Sequence, residues 1–216
     1  MNRSRRIPEA TVGRLPIYLR ALKEIDGQRA ATVSSDELAR LSGVNAAKVR
    51  KDLSYLGTYG IRGVGYDAKL LVMQISRELG LTKDWPVALI GFGNLGRALA
   101  GYRGFGERGF QIAAIFDTDP AKVGVRIGDL VVRHLRELSE IARQEQIAIA
   151  MIATPAAEAQ GVADHVVEAG ITSILNFAPC FIRVPPRVSI RKVDLSMELQ
   201  ILSFYQQGKA VDALRS

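Results

Sequence analysis

Two rhythms of apolar and polar residues divide this chain near Trp85. Before it, apolar residues recur at three- and four-residue spacing, and Leu15, Leu19, Leu22 and Ile25 would share one buried helical face. Pro8 suits a first helical turn, whereas Pro16 conflicts with an uninterrupted helix, so a kink or a late start is expected there. Ser34 stands three residues before Glu37, a capping-box spacing that opens a short helix to Leu41. Ser42-Gly43-Val44 then reads as a turn, and Asn45 as the cap of a second helix to about Leu56. Helix, glycine-containing turn, helix is the outline of a helix-turn-helix. Gly57 to Tyr66 carries four glycines in ten residues with aromatic or β-branched residues between them. It reads as a hairpin with a tight tip, a wing, with a plain interdomain linker as the alternative.

From Trp85 onward the pattern alternates strands with helices, which predicts a parallel α/β sheet. Val87 to Ile90 is a short apolar strand, Gly91-Phe92-Gly93-Asn94-Leu95-Gly96 follows it, and Leu95 to Tyr102 reads as a helix. A GxGxxG set between strand and helix has a mechanical logic. Gly91 permits the tight turn, Gly93 lets backbone approach a diphosphate, and Gly96 lets the helix pack on the sheet. The diphosphate would sit at the positive end of that helix. The next strand, Gln111 to Phe116, ends in Asp117, 26 positions after Gly91. An acidic group there would bind the ribose hydroxyls and repel a 2′-phosphate, favouring NAD over NADP. Two further strands, Ile147 to Ala153 and Thr172 to Asn176, end in Thr154-Pro155 and in Phe177-Ala178-Pro179, at the carboxyl edge where a nucleotide would lie. The reading is a Rossmann dinucleotide-binding domain, with CoA or another nucleotide as the alternative occupant of the cradle.

Charge sharpens the division. Residues 1–84 hold 15 lysines and arginines against 9 acidic residues, while residues 85–216 hold 14 against 13. A localised positive field is what a polyanion-binding module requires. On the helix from Asn45, a 100° step per residue puts Val49, Leu53 and Leu56 on one stripe, with Lys51 nearly opposite. Lys48 and Tyr55 lie on one side and Arg50 on the other; Asp52 is the one acidic interruption and lies towards the core. Such a face suits a major groove, and Arg62 in the wing suits a minor groove. The longest apolar run, Ile147 to Ala153, has seven residues, far short of a membrane helix. With a lone cysteine, Cys180, and no secretory pattern, a soluble cytoplasmic protein is expected. No Cys/His cluster has metal spacing. Most Rossmann domains belong to dehydrogenases, yet His134, His165, Lys192, Tyr205 and Cys180 form no recognisable acid-base or nucleophile set, so no catalytic residue is expected.

Several of these segments together resemble the bacterial redox-sensing transcriptional repressor family Rex. They are Val49-Arg50-Lys51-Asp52-Leu53-Ser54-Tyr55, Arg62-Gly63-Val64-Gly65-Tyr66, the GFGNLG loop, Phe116 to Gly124, and Asn176-Phe177-Ala178-Pro179. The resemblance spans essentially the whole chain. It implies an α/β protein with an N-terminal winged helix-turn-helix domain (1–84), a Rossmann NAD(H)-binding domain (85–195) and a C-terminal dimerisation helix (196–216) exchanged between subunits. It further implies a homodimer that binds double-stranded, inverted-repeat operator DNA when NADH is scarce and releases it when NADH binds, NADH and NAD⁺ being regulatory ligands. Asp194 would exchange partners, Arg20 in the DNA-binding state and Tyr102 in the NADH-bound state. Independently, Met197, Leu199, Ile201, Leu202, Phe204 and Tyr205 are apolar on more than one face of the last helix, which would otherwise cap its own sheet. An NAD-dependent oxidoreductase, or a constitutive architectural DNA-binding protein with a structural nucleotide, are the competing readings.

Overall fold

The computed structural model describes residues 7–26, 32–57, 60–61 and 63–213, with side chains to residue 207. The chain forms two compact units, Met1–Lys83 and Asp84–Ser216.

The first unit contains α1 (Glu9–Val12), α2 (Leu15–Asp26), β1 (Thr32–Val33), α3 (Ser35–Ser42), α4 (Ala46–Tyr55), β2 (Tyr66–Asp67) and α5 (Ala68–Glu78). Pro8 lies just before α1 instead of inside its first turn, because its carbonyl accepts the Thr11 and Val12 N–H groups that begin the helix. The break at Gly13 and Arg14 gives α2 its late start, and Pro16 falls in a first turn where its missing N–H costs nothing. Leu15, Leu19, Leu22 and Ile25 are buried together, as their spacing predicts, and pack with Leu38, Val49, Leu53, Leu71 and Ile75. Ser34 Oγ accepts the Glu37 N–H at 3.0 Å, and Asn45 Oδ1 accepts the Ala47 N–H at 2.8 Å. Between these caps, Gly43 ends α3 in the left-handed region, φ 66°. The wing is short: β1 pairs antiparallel with β2, and Ile61 and Gly65 exchange hydrogen bonds around a turn at Gly63 and Val64.

The second unit contains β3 (Trp85–Ile90), α6 (Asn94–Ala100), β4 (Phe110–Asp117), β5 (Arg126–Ile127), β6 (Leu130–His134), α7 (Leu138–Gln144), β7 (Ile149–Ile152), α8 (Ala156–Glu168), β8 (Ser173–Asn176), β9 (Ser189–Lys192) and α9 (Leu195–Ala213). Its sheet runs β5-β6-β4-β3-β7-β8-β9, parallel except for the β5–β6 hairpin. Without β5 this is the 3-2-1-4-5-6 order of a doubly wound dinucleotide-binding fold, with its topological switch between β3 and β7. Alternate residues of β3 feed two cores. Ala88 and Ile90 pack with α7 and α8, while Val87 and Leu89 face the side that holds Phe92 and the end of α6. Helix α6 ends at Ala100, two residues earlier than the sequence pattern suggests, with Gly101 as its C-cap; Tyr102 therefore lies beyond the helix.

Candidate functional site

The carboxyl ends of β3, β4 and β7 surround a cavity of about 260 Å³ whose wall includes Gly91, Gly93, Asp117, Lys122, Thr154 and Pro155. It lies at the switch point, where an open α/β sheet parts its loops to admit a ligand. Gly91 has φ 97°, and a Cβ on it would lie 2.6 Å from the Ala153 carbonyl oxygen. A Cβ on Gly96 would run into the Gly91 carbonyl, so this glycine lets α6 close onto the loop. Gly93 is different: nothing lies within 4 Å of where its Cβ would be, so its bare backbone faces open space. Asn94 and Leu95 stand exposed on the first turn of α6. Phe92 turns inward and is fully buried, with the Arg97 guanidinium carbon 4.6 Å above its ring, so its part in the loop is anchorage.

Asp117 closes the acidic corner. Its Oδ2 accepts the Phe92 N–H at 2.7 Å and its Oδ1 the Asp119 N–H at 2.9 Å, so the carboxylate ties the glycine loop to the end of β4. Lys122 Nζ lies 3.3 Å from Asp117 and 3.4 Å from Asp119. Burial pushes the Asp117 carboxyl up, but those N–H groups and the Lys122 ammonium more than offset it and hold the carboxyl below its ordinary range. Sequence reasoning missed Lys122 as a cavity residue; its signal was a cation five positions after the acidic residue that ends the second Rossmann strand. The Thr154 hydroxyl oxygen is buried on the cavity wall with no hydrogen-bond partner. A buried, unsatisfied hydroxyl costs stability unless a ligand supplies the missing bond. That orphan, the bare Gly93 and the helix N-terminus all suit a diphosphate-bearing nucleotide.

Asn176-Phe177-Ala178-Pro179 leaves the neighbouring strand β8, and the Phe177 N–H bonds the Ile152 carbonyl at 2.9 Å. These four residues are not in the wall of the 260 Å³ cavity. Asn176 is buried and spends its amide on its own turn, accepting the Ala178 N–H at 2.8 Å and donating to the Cys180 carbonyl at 3.1 Å. It shapes the loop. Phe177 is half-buried, Ala178 buried and Pro179 exposed, so the turn presents an apolar edge.

On α4, Lys48, Arg50 and Lys51 are exposed and Tyr55 is half-buried. Arg50 donates to Ser35 Oγ at 2.8 Å and lines a cleft of about 430 Å³ between the wing and the start of α3. Arg62 lies outside the described residues. Asp52, which the pattern put towards the core, is 1% exposed and bound by Thr11, Arg14 and Tyr18. Burial pushes its carboxyl up, yet those three donors outweigh burial and hold it below the ordinary carboxylate range. Nothing in the sequence revealed these partners, which are 34 to 41 residues away.

The described side chains of the last helix, up to residue 207, leave their apolar surface open and do not cap its own sheet. Leu195, Met197, Leu199, Ile201, Leu202, Phe204 and Tyr205 are all exposed, Phe204 by 72%. At its head, Asp194 accepts from the Ser196 hydroxyl and N–H and pairs with Lys192 at 2.9 Å; the Ser196 hydroxyl first and Lys192 second lower its pKa to about 2. Arg20 pairs with Glu24 one turn along α2, and Tyr102 packs edge-on to Phe105. The residues weighed for catalysis have separate local tasks. His134 caps a 3-10 turn, the His165 ring bonds the Gly161 carbonyl, Lys192 holds Asp194, and Tyr205 packs on Phe204. Cys180 is half-buried against the α7–α8 core. Among the described residues no group of three or more His, Cys, Asp or Glu could hold a metal ion, and no helix is long and apolar enough to cross a membrane.

Two family models match the chain: "Putative DNA-binding protein N-terminus" over residues 6–54 and "CoA binding domain" over residues 82–180. The redox-sensing transcriptional repressor Rex of Streptomyces coelicolor is 59% identical over 208 residues, 96% of this chain and 81% of the relative. That of Desulfitobacterium hafniense is 47% identical over 92% of this chain and 95% of the relative. The chain belongs to the Rex family. Among solved structures, the Rex-family repressor RSP superposes with a TM-score of 0.88 at 34% identity, covering 97% of this chain and 99% of RSP. RSP has also been solved with β-NADH, and with β-NAD⁺ and operator DNA. The Rex relationship accounts for both units at once: a DNA-binding-type helical unit followed by a Rossmann-like α/β unit.

Proposed function

We propose that this Rex-family chain is a repressor that binds operator DNA through residues 1–84, senses the NADH/NAD⁺ ratio through residues 85–195, and releases DNA when NADH binds. The observation that carries the reading is the nucleotide cradle at the β3–β7 switch point, with its orphaned Thr154 hydroxyl, in a family whose member RSP has been solved with NADH and with NAD⁺ and operator DNA. Gly91 to Gly96 would hold the diphosphate, with Phe92 anchoring the loop. Asp117 would take the adenosine ribose, Thr154 and Pro155 would line the opposite wall, and Asn176 to Pro179 would border the nicotinamide.

A redox sensor must bind the two forms with unequal free energy, since equal affinity shifts no equilibrium. The nicotinamide ring is neutral when reduced and cationic when oxidised. The apolar edge of Phe177, Ala178 and Pro179 penalises the oxidised ring by desolvating its charge. On this reading the protein is a regulator without catalytic turnover. Its place is the cytoplasm.

The DNA-binding face is α4 with the wing. Lys51 reaches base edges, Lys48, Arg50 and Tyr55 contact phosphate or groove, and Arg62 enters the minor groove. An inverted-repeat operator follows if two copies bind as a two-fold dimer. The exposed apolar residues of α9, from Leu195 to Tyr205, support exchange of the C-terminal segment 196–216 between subunits. Asp194 then carries the switch, leaving Arg20 for Tyr102 when NADH binds.

The test is fluorescence anisotropy on a labelled inverted-repeat duplex at fixed salt, titrated with NADH or NAD⁺. Release by NADH at concentrations where NAD⁺ does far less is expected. DNA binding that ignores both nucleotides would overturn the reading in favour of an architectural protein, and steady NADH consumption with a carbonyl substrate would favour an oxidoreductase.

A further inference from the structure

We propose that Asp52 is the positioning residue of the DNA-facing helix, a buried carboxylate that fixes the rotation of α4 and so the direction of Lys48 and Lys51. The inference rests on the reading that α4 meets DNA. Asp52 accepts from Thr11 Oγ1 at 2.8 Å, from Tyr18 Oη at 2.8 Å, and from Arg14 Nε and Nη2 at 2.6 and 2.7 Å. Thr11 belongs to α1, Arg14 to the break that follows, and Tyr18 to α2; Thr11 is the buried residue of α1. One carboxylate therefore gathers three successive pieces of the N-terminal leg onto the middle of α4.

Aliphatic packing selects the buried face of α4 but holds its rotation less tightly than directional bonds do. The buried aliphatic side chains of α4 are Val49 and Leu53, and hydrophobic contact is not directional. Hydrogen bonds to a carboxylate are directional and weaken steeply below about 120°. At 100° per residue, Asp52 lies about 40° around the helix from Lys48 and about 60° from Tyr55. A rotation that swings the cationic face aside must therefore break the Asp52 bonds. The arrangement also disposes of a charge problem. An exposed aspartate in the middle of a helix facing a polyanion would repel phosphate; turned inward against Arg14, it does not. A buried ion pair adds little net stability over apolar residues of the same volume, so its contribution here is to orientation.

The experiment compares operator affinity with folding in the full-length protein. The probe is a duplex recovered by the wild-type protein from a random-sequence pool. If no duplex is recovered, the DNA-binding reading itself fails, separately from this inference. Asp52→Asn keeps the volume but leaves Arg14 without its charge partner. Its operator Kd should rise roughly tenfold or more, with a shallower salt dependence, while NADH affinity stays unchanged. Combining Asp52→Asn with Arg14→Gln removes both charges. The double variant should regain thermal stability without regaining operator affinity. Tyr18→Phe and Thr11→Val each delete one bond and leave the Asp52–Arg14 ion pair intact, and serve if Asp52→Asn does not fold. Each should weaken operator binding by roughly two- to fivefold. Wild-type operator Kd and salt slope in these variants, or recovery of DNA binding together with stability in the double variant, would overturn the proposal and leave Asp52 a fold-stabilising residue only.

Discussion

Single residues divide the nucleotide cradle into parts that hold the fold and parts that face a ligand. Gly96 belongs to the first, because its Cβ would strike the Gly91 carbonyl. Gly93 belongs to the second, because its Cβ would meet nothing in the protein and its φ is −83°. Gly93→Ala should therefore cost far less thermal stability than Gly96→Ala while weakening NADH binding, read by nucleotide fluorescence, by roughly tenfold or more. Gly96→Ala should lose both binding and stability. Equal melting temperatures for the two variants would refute the division. The glycine spacing was legible in the sequence because each glycine answers a local backbone demand. The Asp52 knot was not, because a carboxylate's partners depend on which distant helices pack beside it. Nor was the second bond of Asp117: its acidity and place at the end of β4 could be read, but its grip on the Phe92 N–H exists only when β3 and β4 lie side by side.

At the scale of elements, the strands with the plainest apolar runs, β3, β4, β7 and β8, were readable, and so were α3 and α4 with their caps. The β5–β6 hairpin and β9 were missed. Strand β9 is an edge strand in which Ile190 alone is half-buried and Ser189, Arg191 and Lys192 are exposed, so it shows too little apolar patterning to be seen. Helix α9 presents the opposite case, since its apolar residues are plentiful and its own unit leaves them exposed. Exchange of this helix between two copies would bury that surface. Leu199→Asp combined with Leu202→Asp should convert a dimer to a monomer in analytical ultracentrifugation and reduce affinity for an inverted repeat far more than for a single half-site. A wild-type chain that sediments as a monomer at all concentrations, or a double variant that stays dimeric, would remove α9 from the interface.

Across the whole molecule, repression requires that occupancy of one unit alter the DNA affinity of the other, a coupling free energy between sites. Asp194 is a candidate carrier because it stands at the head of α9 with partners that can be exchanged, Lys192 and Ser196. Asp194→Ala should bind NADH and bind operator, yet NADH should no longer release the DNA in the anisotropy titration; normal release would exclude this carboxylate from the switch. The sequence by itself determined the two-unit plan, the helix-turn-helix with its wing, the parallel α/β sheet and the glycine cradle. These follow from periodicity, capping and backbone freedom, which act over a few residues. Only the tertiary structure decided which polar groups became buried, which found partners and which, like the Thr154 hydroxyl, did not. It also decided that the apolar residues of α9 stay uncovered by their own unit. Those outcomes depend on packing between segments far apart in the chain, and local pattern carries no record of them.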